Sequence, residues 1–452
     1  MNTKHTLCNA AIIAAMVYAS PSFSDVTPLS NAEIAFNLSE QMYPALFPMD
    51  TQSVGGYQYR CYGKTHLCLG VKDGAMAFFD GVNIKTVGSV DSIITQLKTA
   101  ATPPQLFQPA ATSSAATQDS ADPVILSFAT VGDSREEDGA AYLNAQDKIW
   151  LQNTAVLARM TKEIQAEKNK LLFFNGDMIM GYKTEVNSLN RQYAYWRGMM
   201  AQLMENGVYV VPVPGNHEIQ EKTAAGAKLA RESNEQTWRD NMGDLIIDTN
   251  RWKNILGADI AAWDVTNAPP LKGADGMATD QRQLSYSFDF QGIHFVVIST
   301  DAVANDSKAP VAWLASDLAA AKARGVTRNF VFGHKMAFTY KYTSTVKAGG
   351  LDTNPDNQKA FWDLIEGYNA TYFCGHEHIF NAMQPRGKAW QVIVGSGGSP
   401  FDAKPGDSTN PDDYTYAWAN VKVYRSGKVH VDVFGFDSSM GPTRLVKGWD
   451  IN

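Results

Sequence analysis

Nothing in the charge of this chain invites a polyanion. Its 39 lysines and arginines are outnumbered by 46 aspartates and glutamates, giving −7 at pH 7, and no basic run occurs anywhere. That balance argues against a nucleic-acid or anionic-membrane surface. Long apolar stretches are missing too. Beyond the first twenty residues no segment is long and apolar enough to span a bilayer. Cysteine is scarce, with four in 452 residues, so an apolar core must carry the fold. The length allows two domains and a large core. A content of 44% hydrophobic and 19% charged residues is ordinary for a globular protein.

The N-terminus reads as a signal peptide, residues 1–24. Lys4 and His5 precede an apolar core from Ala10 to Ala19, and small residues follow at Ser20, Ser22 and Ser24. Charge, apolar core and small residues come in the export order, and the core is too short for a membrane span. A buried N-terminal helix is the alternative. Export, to a periplasm or the extracellular space, suits the cysteines. Cys8 leaves with the signal. Cys61 and Cys68 flank a stretch that makes a hairpin loop, and a disulfide there fits an oxidising compartment. The loop is short, so the entropic gain would be modest. Cys374 stands alone beside Gly375 and reads as a small apolar filler rather than a nucleophile.

Residues 28–97 read as a small, mainly-β module. Residues 32–42 are helix-like, with Ile34, Ala35, Leu38 and Met42 on one face. Short runs at 56–60, 67–71 and 75–79 are punctuated by Gly63, Asp73-Gly74 and Asp80-Gly81, an antiparallel meander. The stretch Tyr43-Pro44-Ala45-Leu46-Phe47-Pro48, with Tyr57, Tyr59, Arg60, Tyr62 and Leu69-Gly70-Val71, resembles an accessory module of exported bacterial proteins. It carries no catalytic constellation and reads as a targeting or surface-binding appendage with its own surface ligand. Residues 98–122, rich in Ala, Thr, Ser, Pro and Gln, have too few apolar side chains to fold and read as a linker.

The second domain, residues 123–452, alternates strand and helix. A strand at 124–131 ends in Gly132-Asp133-Ser134-Arg135, and a helix follows over about 141–167. A strand at 171–175 ends in Gly176-Asp177, and a helix spans 191–206. The apolar β-branched run at 208–214 ends in Gly215-Asn216-His217-Glu218. This βαβαβ order predicts a parallel or mixed sheet with helices on its faces. An insertion over 219–283 holds helical pieces at 234–239 and 244–256. A hairpin at 286–290 and 293–298 turns on Gln291-Gly292, and 311–323 is an amphipathic helix. The strand 329–332 ends in Gly333-His334. After a helical piece at 361–366, the strand 370–374 ends in Gly375-His376-Glu377-His378. A strand at 392–394 follows, and two more, at 419–424 and 429–434, close the chain.

Five strand ends therefore carry metal-type residues: Asp133, Asp177, Asn216 with His217, His334, and His376 with His378. Each motif opens with a glycine, which brings backbone close to a ligand. Alone, each is weak: an Asp caps helices and a His fills cores. Together they hold four of the chain's eight histidines. The carboxyl edge of a sheet is where ligands bind in open α/β folds. An Asn oxygen makes sense on a metal only beside stronger ligands.

In this order the motifs resemble the calcineurin-like metallophosphoesterases, with purple acid phosphatases as a related branch, over about residues 124–436. The resemblance implies an α/β fold, a four-layer α/β/β/α sandwich, with two metals between the sheets. Asp177 would bridge them. Asn216, His334 and His376 would complete one site, and Asp133 and His378 would belong to the other. His217 would be the proton donor or phosphate-positioning group, with Glu218 orienting its ring. Two metals can clamp the attacking and leaving oxygens of a phosphoryl displacement and make hydroxide available near neutral pH. The mixed Asp, Asn and His set suits divalent or trivalent first-row ions, Fe, Zn or Mn, rather than Ca²⁺.

The chain departs from the pattern once. The first motif usually reads Asp-x-His, and here position 135 is arginine, which cannot ligate. The purple acid phosphatase branch supplies a tyrosine three residues after the second motif's Asp. Here that position is Met180, and Tyr182 is the nearest tyrosine. Water, Tyr182 or Glu136 are the alternatives for the missing ligand. Arg135 is assigned to the substrate phosphate, and a surface ion pair with Glu136 or Glu137 is its plain alternative. Phe338, Tyr340, Tyr342 and Trp390 line the cleft or simply pack. His294 reads as core, and His66 and His430 have no evident partners.

The sequence thus reads as an exported phosphoric ester hydrolase acting on small-molecule phosphate monoesters through metal-activated hydroxide. A phosphodiesterase or nucleotidase on the same fold is the second reading. A non-catalytic binding protein with a degraded metal site is the third.

Overall fold

The computed structural model describes residues 48–54, 57–62, 67–72, 75–79, 84–89, 122–136, 151–340, 349–403 and 409–451. The signal peptide, the helix expected at 32–42 and the linker up to residue 121 lie outside the described residues. The chain divides into two compact units, Met1–Leu106 and Phe107–Asn452. In the first, β1 (Pro48–Val54), β2 (Tyr57–Tyr62), β3 (Leu67–Lys72), β4 (Ala75–Phe79) and β5 (Ile84–Ser89) form an antiparallel meander in chain order. The register sets Cys61 opposite Cys68. Sequence reading caught the three inner strands. It missed β1 and β5, whose mixed polar composition lacks a clean alternation.

The second unit opens with β6 (Val124–Val131), α1 (Thr154–Ala166), β7 (Leu171–Phe174), α2 (Val186–Glu205) and β8 (Tyr209–Pro212). The first helix does not run through 151–153, as sequence reading had it. Leu151 is left-handed at φ 56° and Asn153 caps the helix, its side chain accepting from the Val156 N–H. Residues 137–150 of that expected helix lie outside the described residues. A single turn, α3 (Asn216–Ile219), leads into a two-stranded ribbon, β9 (Gln220–Lys222) and β10 (Lys228–Ala230). Then come α4 (Glu232–Met242), α5 (Thr249–Leu256), β11 (Tyr286–Phe290), β12 (Ile293–Val297) and the small pair β13 (Asp301–Ala302) and β14 (Asn305–Asp306). They are followed by α6 (Val311–Ala323), β15 (Arg328–Phe332), α7 (Pro355–Gly367), β16 (Ala370–Cys374), β17 (Phe380–Met383) and β18 (Gln391–Val394). Three strands rather than the expected two end the chain: β19 (Thr415–Tyr424), β20 (Val429–Asp437) and β21 (Arg444–Ile451).

These strands build two six-stranded sheets. One runs β21-β20-β19-β6-β7-β8 and the other β11-β12-β15-β16-β18-β17. Parallel pairing joins β6, β7 and β8 in the first, and β12, β15, β16 and β18 in the second. The β11–β12 hairpin turns on Gln291 at φ 52° and Gly292 at φ 76°, the double left-handed turn that suits strand twist.

Side-chain alternation explains the layering. On the second sheet Phe295, Phe330, Phe332 and Phe373 face the first sheet's Phe128 and Phe173, and Phe173 stacks on Phe332 at 3.7 Å. The intervening Val296, Val331, Tyr372 and Cys374 face outward, packing with Leu314 and Leu318 of α6 and Phe361 and Ile365 of α7. On the first sheet Phe174 meets Trp196 of α2. The result is the α/β/β/α sandwich. Among the described residues no helix is long and apolar enough to cross a membrane.

Candidate metal centre

The parallel strands of both sheets deliver their carboxyl ends to one place. There β6 leads to Asp133, β7 to Asp177, β8 to Asn216 and His217, β15 to His334, and β16 to His376 and His378. Two groups with ligand geometry result, Asp177 with His334 and His376, and Asp133 with Asp177 and His378. The backbone is strained where it matters. Asp133, Asp177 and His376 all adopt left-handed φ, at 60°, 51° and 71°, each at a cost of about 1–3 kcal/mol. Close approach explains two of the motif glycines. A Cβ on Gly215 would lie 2.5 Å from Asp177 Oδ1, and one on Gly176 would lie 2.6 Å from His334 Nδ1.

The first group is an array of acceptors. His334 Nδ1 donates to the Asn175 carbonyl at 2.7 Å, so the neutral ring presents a lone pair at Nε2. That nitrogen lies 3.0 Å from Asn216 Oδ1, 3.1 Å from Asp177 Oδ1 and 3.1 Å from His376 Nδ1, and His376 Nδ1 is 2.8 Å from Asn216 Oδ1. Four lone-pair atoms this close repel one another unless a cation sits among them, and a mixed N and O set at such spacing fits a first-row metal ion. A proton answers the same crowding. Burial alone would lower His334, but the Asp177 and Asp133 carboxylates raise it to about 10. His376 goes the other way, held well below the usual range by burial and by His334.

The second group fits a metal less well. Asp133 is buried and accepts the His376 N–H on both oxygens, at 3.2 and 3.1 Å. Burial pushes its carboxyl well up. His378 lies 3.7 Å from it. His378 Nδ1 donates to the Pro400 carbonyl at 2.7 Å, and its Nε2 faces Arg135 Nη2 at 3.2 Å. Arg135 is itself buried, with Nε 3.8 Å from Asp177 Oδ2. Its guanidinium is therefore not on the open surface, and Glu137, one partner of the ion pair offered as its alternative, lies outside the described residues. Tyr182 does not stand in as a ligand of this group. Its hydroxyl takes a hydrogen from the Asn216 amide, and its ring lies against His217 at 3.7 Å. Glu136 is buried beside the strand but is not part of the group.

His217 is buried with Nε2 3.7 Å from Asp177 Oδ2. Glu218 does not orient that ring, contrary to the sequence expectation. The ring is held by the Met180 carbonyl, which accepts from Nδ1 at 2.5 Å. Glu218 instead accepts four backbone N–H groups, from Asp177 at 3.0 Å, Met178 at 2.8 Å, Ile179 at 3.1 Å and Gly215 at 2.8 Å. It ties the second and third motif loops together. Burial, followed by the Asp177 charge, raises its carboxyl to about 7. Burial also holds His217 well below its ordinary value.

One residue escaped sequence reading. Lys228, on the β9–β10 ribbon, sets its ammonium 4.7 Å above the Tyr182 ring. The residue is exposed at the surface, yet partial desolvation of its ammonium lowers its pKa, and the opposing influence of Asp177 and the adverse one of Arg135 place it in the field of the same centre. Nothing marks it in the sequence, because the ribbon that folds it back is short and polar. Other expectations resolve to packing. Phe338 lies edge-on to Trp362, and Trp390 packs against Trp449 with the rings tilted by 38°. His294 is core, bonded to Asp289 and Asp317. His430 does have partners, Asp450 and Asp432. Cys374 is a free, buried thiol. Tyr340 is half-buried, and Tyr342 and His66 lie outside the described residues.

Residues 150–380 match the model of the calcineurin-like phosphoesterases, a span that leaves out Asp133 and Arg135. No curated protein matches the chain. Among solved structures it is similar to a purple acid phosphatase from yellow lupin (Lupinus luteus) seeds, at 13% identity and a TM-score of 0.49, over 72% of this chain and 53% of that one. It is similar to a dimetal phosphatase from Danio rerio, at 15% identity and a TM-score of 0.38, over 73% of this chain and 99% of that one. It is also similar to a 5'-nucleotidase from Candida albicans, at 10% identity and a TM-score of 0.33, over 67% and 52%. The chain thus spans about half the length of the lupin protein.

Proposed function

The chain belongs to the calcineurin-like phosphoesterase family, and from that footing we propose that it is a metal-dependent hydrolase of small phosphate monoesters. The observation that carries this reading is the convergence of Asp177 Oδ1, Asn216 Oδ1, His334 Nε2 and His376 Nδ1 on one point, with neighbouring atoms 2.8 to 3.1 Å apart. These residues would hold an Fe, Zn or Mn ion. Such an ion supplies Lewis-acid polarisation of a phosphoryl oxygen and a water of lowered pKa.

The chain's own groups do the rest. Hydrolysis forms a bond from the water oxygen to phosphorus, breaks the ester P–O bond and delivers one proton to the leaving oxygen. His217 offers Nε2 to the cleft, since its Nδ1 hydrogen is committed to Met180. In the neutral ring that nitrogen accepts a proton, and once protonated it donates one to the leaving oxygen. The Met180 carbonyl and the Tyr182 ring fix its plane. Arg135 adds positive charge on the Asp177 Oδ2 side of the centre, and Lys228 adds more from above the Tyr182 ring. The buried Arg135 guanidinium, with the exposed Lys228 ammonium near it, favours the dianion of a monoester over the monoanion of a diester.

Export is part of the same proposal, supported by the apolar core at residues 10–19 and by the facing positions of Cys61 and Cys68. The substrate class is tested by comparing kcat/KM on an aryl phosphate monoester and its diester with the metal-loaded protein. A ratio well above one for the monoester is expected. A preference for the diester would move the assignment to a phosphodiesterase.

A further inference from the structure

We propose that the Arg135 guanidinium is the second cation of this centre, so that the chain binds one metal ion, at Asp177, Asn216, His334 and His376, where the family resemblance implies two. The inference rests on the metal-dependent reading above and deepens it.

Position 135 is where the resembling pattern places a histidine ligand. Arginine keeps its charge and has no lone pair to give. Its backbone is fixed: the Arg135 N–H donates to the Asp177 carbonyl at 3.2 Å, its carbonyl accepts from Ser399 Oγ at 2.7 Å, and it bridges to Gln152. The side chain is thereby held inward and buried rather than left on a surface loop.

Its contacts are those a metal ion would need. His378 spends its Nδ1 hydrogen on Pro400, so Nε2 carries the lone pair, and Arg135 Nη2 donates to it at 3.2 Å. An ion in the second group would require that lone pair. Asp177 divides its two oxygens in the same way. Oδ1 faces His334 at 3.1 Å, in the metal-type cluster, and Oδ2 faces Arg135 Nε at 3.8 Å. The carboxylate thus links a metal site on one side to a guanidinium on the other. A second ion would be repelled by the guanidinium at this range. Among the described residues the second group offers Asp133, Asp177 and His378 and no fourth His, Cys, Asp or Glu. A guanidinium here can also present two N–H groups to a pair of phosphoryl oxygens.

The test loads the full chain with excess Mn²⁺, removes free ion by gel filtration, counts bound metal by elemental analysis and records the Mn²⁺ spin-resonance spectrum. One ion per chain with an uncoupled spectrum is expected for the wild type, and a second ion with an exchange-coupled spectrum for Arg135→His. Two ions in the wild type would overturn the guanidinium proposal and leave the hydrolase reading standing. No bound ion, with no metal-dependent turnover, would instead overturn the hydrolase reading. One ion in both proteins would show that Arg135 does not exclude the second, which also overturns the proposal. If Arg135→His fails to fold, the wild-type count decides alone.

Discussion

Asp177 and His334 meet at 3.1 Å, Oδ1 to Nε2, where the carboxyl ends of the two sheets come together. Each arrives from a different sheet, one after β7 and the other after β15. The site therefore exists only when the sandwich is assembled. Asn216→Ala and His376→Ala remove donors from this point and should lower bound metal together with turnover. His217→Ala should leave metal content unchanged and reduce kcat by about 10²–10⁴-fold, the usual cost of a lost acid–base group. Elemental analysis beside kcat separates the two outcomes. Metal lost in His217→Ala would make that residue a ligand.

Glu218 should matter to stability rather than to proton transfer. Four backbone N–H groups point at its carboxylate. Glu218→Gln turns an NH₂ toward donors and leaves at least one of them buried without an acceptor, costing about 1–3 kcal/mol. Urea unfolding measures this directly. A variant with wild-type stability but lost activity would return Glu218 to the catalytic role expected from sequence.

Lys228 should bind substrate weakly. Its side chain is partly solvated, so the contribution is about 0.5–1 kcal/mol, roughly two- to fivefold in KM. Lys228→Ala should raise KM for a phosphate monoester by that amount, with kcat and metal content little changed. An unaltered KM would make Lys228 only a cover for the Tyr182 ring.

Away from the site, His294 predicts a pH dependence of stability. It is fully buried between Asp289 at 2.6 Å and Asp317 at 2.8 Å. Burial alone would lower it, but the two carboxylates raise it above the ordinary histidine value of about 6.5. Its contribution is therefore whole below about 6.5 and is lost as pH rises through the folded value. Burial would raise Asp289 and Asp317, but bonding to His294 holds both below 3.8. Their contribution is whole above about 3.8 and is lost as pH falls through the lowered values. The stability difference between wild type and His294→Gln should be largest between about pH 4 and 6.5, and should shrink toward alkaline pH. Thermal melts across pH test this, and a difference that grew above neutrality would contradict it.

The candidate ligand residues were legible because each follows an apolar strand and a glycine, a local pattern that survives in one dimension. The strands were legible for the same reason, through runs such as 171–174 and 329–332, whereas the four-layer sandwich was implied by the family resemblance of the motifs. The last strand was not. Residues Arg444–Ile451 mix Arg444, Lys447 and Asp450 into an edge strand whose partner, β20, already looked like a chain terminus. Glu218 was misassigned because its partners are backbone amides of other motifs, which leave no trace in side-chain spacing. Arg135 could be seen as a missing ligand, but its burial against His378 depends on β6 and the loop after β16 meeting in space.

The central claim is that Asp177, Asn216, His334 and His376 hold a metal ion on which phosphate ester hydrolysis depends. The most direct measurement is turnover of an aryl phosphate monoester by the full chain as purified, after stripping with a chelator, and after readdition of Mn²⁺, Zn²⁺ or Fe. The account predicts loss of turnover on stripping and its return with at least one of these ions, and no return in Asn216→Ala. Full turnover in the stripped, metal-free protein would contradict it.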